Sequence, residues 1–241
     1  MIVGIDDISI FKIFFDVIME ECETVELVSN SMGMKVSLLD KGHTCFYEVF
    51  YENTFFDLFD VEGTEIMSLF IDDLYKILKT AGKNDYLTLS SDDTRVIAKF
   101  ENGSNTRVFE LTQSVDFTDS PTPPSLNNNC EVTLSIDDLS QSLKDLDIFK
   151  AGTIHFVCKD GNFTMATDTN ADMKYNHVIE METDGEGDSY YTSDYLKKLT
   201  KFKSIDKNVI LQFGDTMPLS WSIKNDDVTV SGLIAPRIQE D

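Results

Sequence analysis

Four times along this chain a short β-like run ends in an Asp- or Ser-led start and an amphipathic stretch bearing lysine follows. The starts are Ile5-Asp6-Asp7-Ile8, Ile71-Asp72-Asp73-Leu74, Ile136-Asp137-Asp138-Leu139 and Thr192-Ser193-Asp194-Tyr195. They lie 66, 65 and 56 residues apart, the scale of a repeated supersecondary unit. Each Asp or Ser suits an N-cap, because its side-chain oxygen can accept an orphan N–H of the first helical turn. The chain is thereby held to a repeating strand-then-helix architecture.

Charge separates along the same lines. Residues 7–21, 72–83, 137–150 and 194–203 hold 10 of the 20 basic residues and 11 of the 43 acidic ones. These four segments are nearly neutral in a chain whose formal charge is −23. Such a balance excludes bulk adhesion to nucleic acid or to an anionic membrane, but leaves lysine-studded helices able to meet a polyanion.

With 241 residues there is material for a real core, and an apolar fraction of 41% with 17 Phe separates the chain from a disordered acidic tail. The N-terminal run from Ile8 to Met19 is broken by Lys12 and Asp16 and is too short to span a bilayer. Cys22, Cys45, Cys130 and Cys158 are scattered without Cys-x-x-Cys spacing, which predicts reduced thiols in an intracellular protein and no zinc site.

Between the helices the sequence reads as strands. Period-two runs cover 24–29, 34–40, 86–91, 94–100, 153–159, 162–168, 208–213, 218–224 and 228–234, with turn residues such as Asp160-Gly161 at their ends. Residues 116–129, DFTDSPTPPSLNNN, have three prolines and no period, and read as an extended linker. The division predicts domains at 1–115 and 130–241, each with two capped helices and about eight strands: an α+β, duplicated two-domain fold. In the second helix Leu74, Ile77, Leu78 and Ala81 share one arc, with Lys76, Lys79 and Lys83 opposite. In the fourth, Tyr195, Leu196, Leu199 and Phe202 oppose Lys197, Lys198 and Lys201. The third buries Leu139, Leu143 and Leu146 and shows Lys144. Each helix is expected to pack on a sheet and present its polar face outward.

No phosphate-cradling glycine loop occurs, and His43, His155 and His177 stand alone. Asp168-x-Asn170-x-Asp172 begins like a calcium loop but has Met173 and Ile179 where glycine and glutamate are needed. No catalytic constellation and no cofactor are expected.

Leu233-Ile234-Ala235-Pro236-Arg237-Ile238-Gln239 resembles the Leu-Ala-Pro-Lys/Arg-Ile tail of the proliferating cell nuclear antigen (PCNA) family, the DNA sliding clamps, in an archaeal-like or viral form. Leu38-Leu39-Asp40-Lys41-Gly42-His43-Thr44 is similar to that family's Asp-x-x-His loop. The stretch from Ile71 to Lys79 resembles its Leu-x-x-Leu-x-Lys-Ile-Leu-Lys helix, Ser193–Lys197 its last helix, and Met217-Pro218-Leu219 its Pro-Leu strand start.

The resemblance implies a duplicated DNA-clamp fold, three copies closing head to tail, and a non-enzymatic processivity role in DNA replication and repair. Lys12, Lys76, Lys79, Lys83, Lys144, Lys150, Lys197, Lys198 and Lys201 would face duplex DNA through its backbone, without sequence preference. A pocket of Leu39, His43, Thr44, Phe46, Leu126, Pro218, Leu233, Ala235 and Pro236 would take the peptide motif of a DNA polymerase, clamp loader or other partner. Subunits would join through strand 107–115 (Arg107, Phe109, Leu111) against strand 175–182 (Tyr175, His177, Ile179) of the next copy. No membrane partner is implied. The setting would be cytoplasmic if archaeal, nuclear if eukaryotic, or a host cell if viral. Thr44 departs from the aliphatic residue expected there, Leu233 from an aromatic, and the first helix ends in Glu20 and Glu21. Two other readings compete: a subunit of a heteromeric checkpoint-type ring or a monomeric viral processivity factor, and an acidic enzyme.

Overall fold

β1 (Ile2–Ile5) runs directly into α1 (Ile8–Ile18), and the pattern of strand feeding helix recurs at each of the four starts. The computed structural model describes residues 1–92, 94–114, 121–167, 174–181, 183 and 185–238. Contacts divide the chain into two units. The first holds Met1–His43, Tyr47–Thr122 and Lys224–Val230; the second holds Thr44–Phe46, Pro123–Ile223 and Ser231–Asp241.

The first-unit elements continue with β2 (Thr24–Asn30), β3 (Gly33–Leu39), β4 (Cys45–Glu52), β5 (Leu58–Asp60) and β6 (Glu65–Phe70). That last strand leads into α2 (Ile71–Lys79), followed by β7 (Tyr86–Ser91), β8 (Arg95–Asn102) and β9 (Asn105–Thr112). In the second unit β10 (Cys130–Ser135) leads into α3 (Ile136–Ile148). Next come β11 (Thr153–Lys159), β12 (Asn162–Thr167), β13 (Asn176–Glu180) and β14 (Gly187–Thr192), which leads into α4 (Ser193–Leu199). A 3-10 turn (Thr200–Ser204), β15 (Asn208–Phe213), β16 (Leu219–Lys224) and β17 (Val228–Ile234) complete the chain, with β4 and β17 contributing residues to both units.

The pairings repeat. β1 lies antiparallel to β7, with Ile5 opposite Leu87, and β10 lies antiparallel to β15, with Leu134 opposite Val209. β2 is flanked by β3 and β6, and β11 is flanked by β12 and β14. The first unit's meander closes a sheet ordered β5-β1-β7-β8-β9, and the second unit's other sheet is ordered β13-β12-β11-β14. The duplication is therefore one of topology.

Core packing follows from the helical spacing. α2 buries Ile71, Leu74, Tyr75, Ile77 and Leu78 and leaves Lys76 and Lys79 exposed. Burying one such aliphatic side chain stabilises by about 1.5–3 kcal/mol. In the first unit Phe11 meets Phe15 and Tyr51 at 4.9 and 5.4 Å between ring centroids. In the second, Phe156 packs on Phe163, Tyr191 and Phe213 at 5.2, 5.4 and 6.0 Å.

Several expectations are corrected. Asp7 caps α1 by accepting the N–H of Ser9 at 2.9 Å, but α3 is capped by Ser135, while Phe70 and Thr192 precede α2 and α4 with no side-chain cap. The acids lie within the first turn, where Asp72, Asp73, Asp137, Asp138 and Asp194 oppose the positive ends of α2, α3 and α4. The helices also stop short of the expected bounds, at Ile18, Lys79, Ile148 and Leu199. Cys130 and Cys158 are joined as a disulfide, contrary to the expected thiols, whereas Cys22 and Cys45 form no disulfide. Cys130 starts β10 and Cys158 lies in β11, so folding brings together residues 28 apart in sequence. Gly185 is held beside them: its φ is +83°, and a Cβ there would lie 1.7 Å from the Asn129 carbonyl oxygen.

Among the linker residues, 121–129 form no helix or strand, and 116–120 lie outside the described residues. So do Asp93, Val115, the calcium-like run 168–173, Glu182 and Gln239. No helix among the described residues is long and apolar enough to cross a membrane.

Candidate nucleic-acid interface and docking surfaces

The helix lysines differ in what surrounds them. Lys76, Lys79, Lys83, Lys144, Lys150 and Lys201 are exposed, whereas Lys12, Lys197 and Lys198 are half-buried. Lys76 Nζ lies 3.6 Å from Asp73, and Lys79 Nζ sits 5.2 Å from the Tyr75 ring centre. Lys150 ends α3 in the left-handed region (φ +52°), donating its N–H to the Asp147 carbonyl at 2.9 Å. Lys198 Nζ rests 5.4 Å from the Tyr195 ring centre.

Lys197 is the most constrained. Its Nζ is 2.6 Å from an Asp147 carboxylate oxygen on α3 and 3.5 Å from Asp194. The hydrogen bond to Asp147 raises its pKa above the ordinary lysine value. Lys203, which sequence reasoning left out, donates to Asp137 at 2.5 Å. Each unit thus mixes lysines with carboxylates on its helices, and the local field is weaker than a lysine count suggests. In the first unit Tyr75 donates to Asp16, a bond that pushes the phenol up to about 12.

The expected subunit strands are the last strands of their sheets. In β9 the hairpin pairing of Asn102 with Asn105 fixes an alternation. Arg107, Phe109 and Leu111 direct their amides toward β8, while Val108 and Glu110 direct theirs to the outer edge. Pairing of Thr167 with Tyr175, through Tyr175 O accepting at 3.1 Å, sets the same alternation in β13. There His177 and Ile179 face β12, and Asn176, Val178 and Glu180 face outward. Val108 and Val178 are 55% and 54% exposed, so both outer edges carry an apolar side chain at mid-strand.

The interface residues named from sequence are held from inside. Arg107 pairs with Asp85, donates to the Thr80 carbonyl at 3.1 Å and lies 5.1 Å over Phe100; Phe109 meets the same ring edge-on at 5.9 Å. Asp85 also accepts the Gly82 N–H at 2.7 Å, the leading reason its carboxyl titrates below the usual range. His177 Nδ1 lies 2.5 Å from Ser142 on α3, and Tyr175 donates to Asp145 at 3.1 Å.

The expected docking residues fall in both units. In the first, Leu39 is 37% exposed, and His43 closes a turn with φ +52°, its N–H on the Asp40 carbonyl at 2.9 Å. Both line a cleft of about 420 Å³ with Thr24, Val25, Glu26 and Pro121. In the second, the Ala235 N–H donates to the Thr44 carbonyl at 2.8 Å, and the Arg237 N–H donates to Tyr190 at 2.7 Å. Leu126, Pro218, Leu233, Ala235 and Pro236 are half-buried, but Phe46 is buried. The Phe46 carbonyl would lie 2.3 Å from a Cβ at Gly232, so β17 needs glycine there. Asn128 Nδ2 donates to the Gln212 and Pro218 carbonyls at 2.8 and 3.4 Å and anchors the linker's end. Among the described residues no three His, Cys, Asp or Glu side chains are placed to hold a metal ion.

Two topologically repeated helix-and-sheet units, with lysine-bearing helices and outer strands β9 and β13 that are each paired on one side, define a clamp-type fold. Residues 3–120 match the family model of the proliferating cell nuclear antigen N-terminal domain, and the chain belongs to the PCNA family of sliding clamps. It is similar to the DNA polymerase sliding clamp of Methanothermobacter thermautotrophicus, 26% identical over 240 residues and 98% of each chain. The DNA polymerase sliding clamp of Methanobrevibacter smithii is 27% identical, again over 98% of each. Among solved structures, a PCNA2–PCNA3 complex from Sulfolobus tokodaii has a TM-score of 0.87 at 20% identity, covering 98% of this chain and 99% of that one. PCNA from Thermococcus kodakaraensis has 0.86 at 21%, covering 98% and 99%.

Proposed function

We propose that this chain is a DNA sliding clamp: three copies close head to tail around duplex DNA and tether a polymerase and other replication and repair proteins. The observation that carries the reading is charge placement. A protein of net charge −23 keeps Lys76, Lys79, Lys83, Lys144, Lys150 and Lys201 exposed on or beside the helices of two topologically equal units. Weak, non-specific contact with phosphates suits a ring that must move along DNA, because topology rather than affinity retains it. The role is non-enzymatic and asks for no cofactor, and its setting is intracellular.

In this reading residues 1–115 and 130–241 are the two clamp domains and 116–129 the connecting segment. Leu39 and His43, together with Thr44, Leu126, Pro218, Leu233, Ala235 and Pro236, receive an aliphatic-x-x-aromatic-aromatic peptide from polymerase or loader. Subunits join edge to edge, β9 of one copy beside β13 of the next. A second reading, one subunit of a heteromeric ring, draws on the Sulfolobus tokodaii neighbour, which was solved as a complex of PCNA2 with PCNA3.

Titration calorimetry with such a peptide tests the docking assignment. Micromolar affinity, about −8 kcal/mol, is expected. Leu39→Arg or Ala235→Arg should abolish it, since a guanidinium there has no partner. Unchanged affinity in both variants overturns the assignment.

A further inference from the structure

Residues 235–238, which follow β17, form no strand, yet the amides of Ala235 and Arg237 are both satisfied. Ala235 N–H donates to Thr44, and Arg237 N–H donates to Tyr190 on β14, at 2.8 and 2.7 Å. Pro236, between them, has no N–H to satisfy. The Arg237 side chain then folds back: Nε donates to Thr192 Oγ1 at 3.0 Å. Thr192 immediately precedes α4 and makes no side-chain cap there, so its hydroxyl serves the tail instead of the helix. β14 also fixes the turn before β16. Tyr191, fully buried, donates its hydroxyl to the Met217 carbonyl at 2.8 Å, and Pro218 follows. One strand therefore sets the positions of both Ala235-Pro236 and Pro218.

We propose that Arg237 is a positioning residue for partner docking: by holding Thr192 and Tyr190 of β14 it fixes the tail so that Ala235 and Pro236 are presented in one conformation. The inference rests on the docking reading above. Ile238, next to Arg237, is 83% exposed, so among the described residues past Pro236 it is Arg237 that holds the tail to β14. A tail free to leave β14 would have to be ordered by each incoming peptide, and the cost would appear as lost affinity.

The test is titration of the full-length protein with a synthetic aliphatic-x-x-aromatic-aromatic peptide, alongside hydrogen exchange of residues 235–238. Arg237→Ala should weaken binding about tenfold, the ratio that 1.4 kcal/mol produces. It should also speed exchange at the Arg237-to-Ile238 end, with the melting midpoint unchanged. Thr192→Val, which keeps shape and removes the acceptor, should reproduce the loss; Thr192→Ser should restore near-parent affinity. The double variant Arg237→Ala/Thr192→Val should be no worse than either single change. A merely structural role would not give that pattern. If Ala235→Arg abolishes binding while Arg237→Ala and Thr192→Val leave affinity and exchange at parent levels, the positioning role is overturned and docking stands. If Ala235→Arg leaves affinity intact, the docking reading fails and the proposal falls with it.

Discussion

Lys197 of α4 and Asp147 of α3 meet at 2.6 Å, so a lysine expected to face DNA is already paired with a carboxylate of the neighbouring helix. The bond raises the lysine pKa, so its contribution to stability is fully present below the unfolded value of about 10.4. It disappears only as pH climbs through the raised folded value. Between pH 6 and 9 the pair should not change stability at all. Asp147 is exposed and Lys197 only half-buried, so Asp147→Asn should shift stability by less than about 1 kcal/mol. The same change releases Lys197 toward phosphate, steepening the dependence of log affinity for duplex DNA on log salt by about 0.9. An unaltered slope, measured by fluorescence anisotropy, would remove Lys197 from the DNA-facing set.

The outer edges of β9 and β13 give a sharper test of subunit joining. Proline at Phe109 or Ile179 removes an amide that bonds within the chain's own sheet, to β8 or β12, and should cost folding stability. Proline at Val108 or Val178 removes an outward amide and should leave a folded chain unable to trimerise. Sedimentation of Val108→Pro and Val178→Pro as full-sized trimers would refute edge-to-edge joining by these strands.

The disulfide between Cys130 and Cys158 closes a loop with a sequence separation of 28. A loop of that size restricts the unfolded chain enough to contribute about 3.5 kcal/mol. Reduction, or Cys158→Ser, should lower the denaturant midpoint by the corresponding amount, and Cys22→Ser should not. Equal midpoints for reduced and oxidised protein would mean that the bridge adds nothing to stability.

How far the sequence could be read depends on how local the cause is. The four helices were visible because Leu74, Ile77 and Leu78, or Leu196 and Leu199, repeat at helical spacing within one segment. Asp7 caps α1 as expected, but the caps of α2, α3 and α4 differ from the expectation because Asp favours the first turn as strongly as the cap itself. β13 was foreseen as an edge, but the inward direction of the Ile179 amide follows from the register with β12, which no single strand encodes. The Cys130–Cys158 bridge and the hold of Arg237 on β14 need tertiary proximity and left no local trace. In the docking region, Ala235 and Pro236 were legible from a short tail motif, whereas the burial of Phe46 depends on how β4 packs. Asp147 looked like one acid among 43 until α3 and α4 came together.

Salt should act in opposite directions on assembly and on DNA contact. Each subunit brings a formal charge of −23, and repulsion between copies acts over the Debye length, about 10 Å at 0.1 M. Moving from low to moderate salt should tighten the trimer, while binding through Lys76, Lys144 and Lys201 weakens. Charge reversal at Lys76 and Lys198 should reduce polymerase stimulation and spare trimer mass. A trimer that loosens as salt rises from low to moderate values would contradict the repulsion argument.

The central claim is a closed ring of three, and static light scattering of the purified protein at physiological salt tests it most directly. The account predicts a mass three times that of the 27.3 kDa chain, unchanged on dilution through the micromolar range. A mass equal to one chain at every concentration would contradict it.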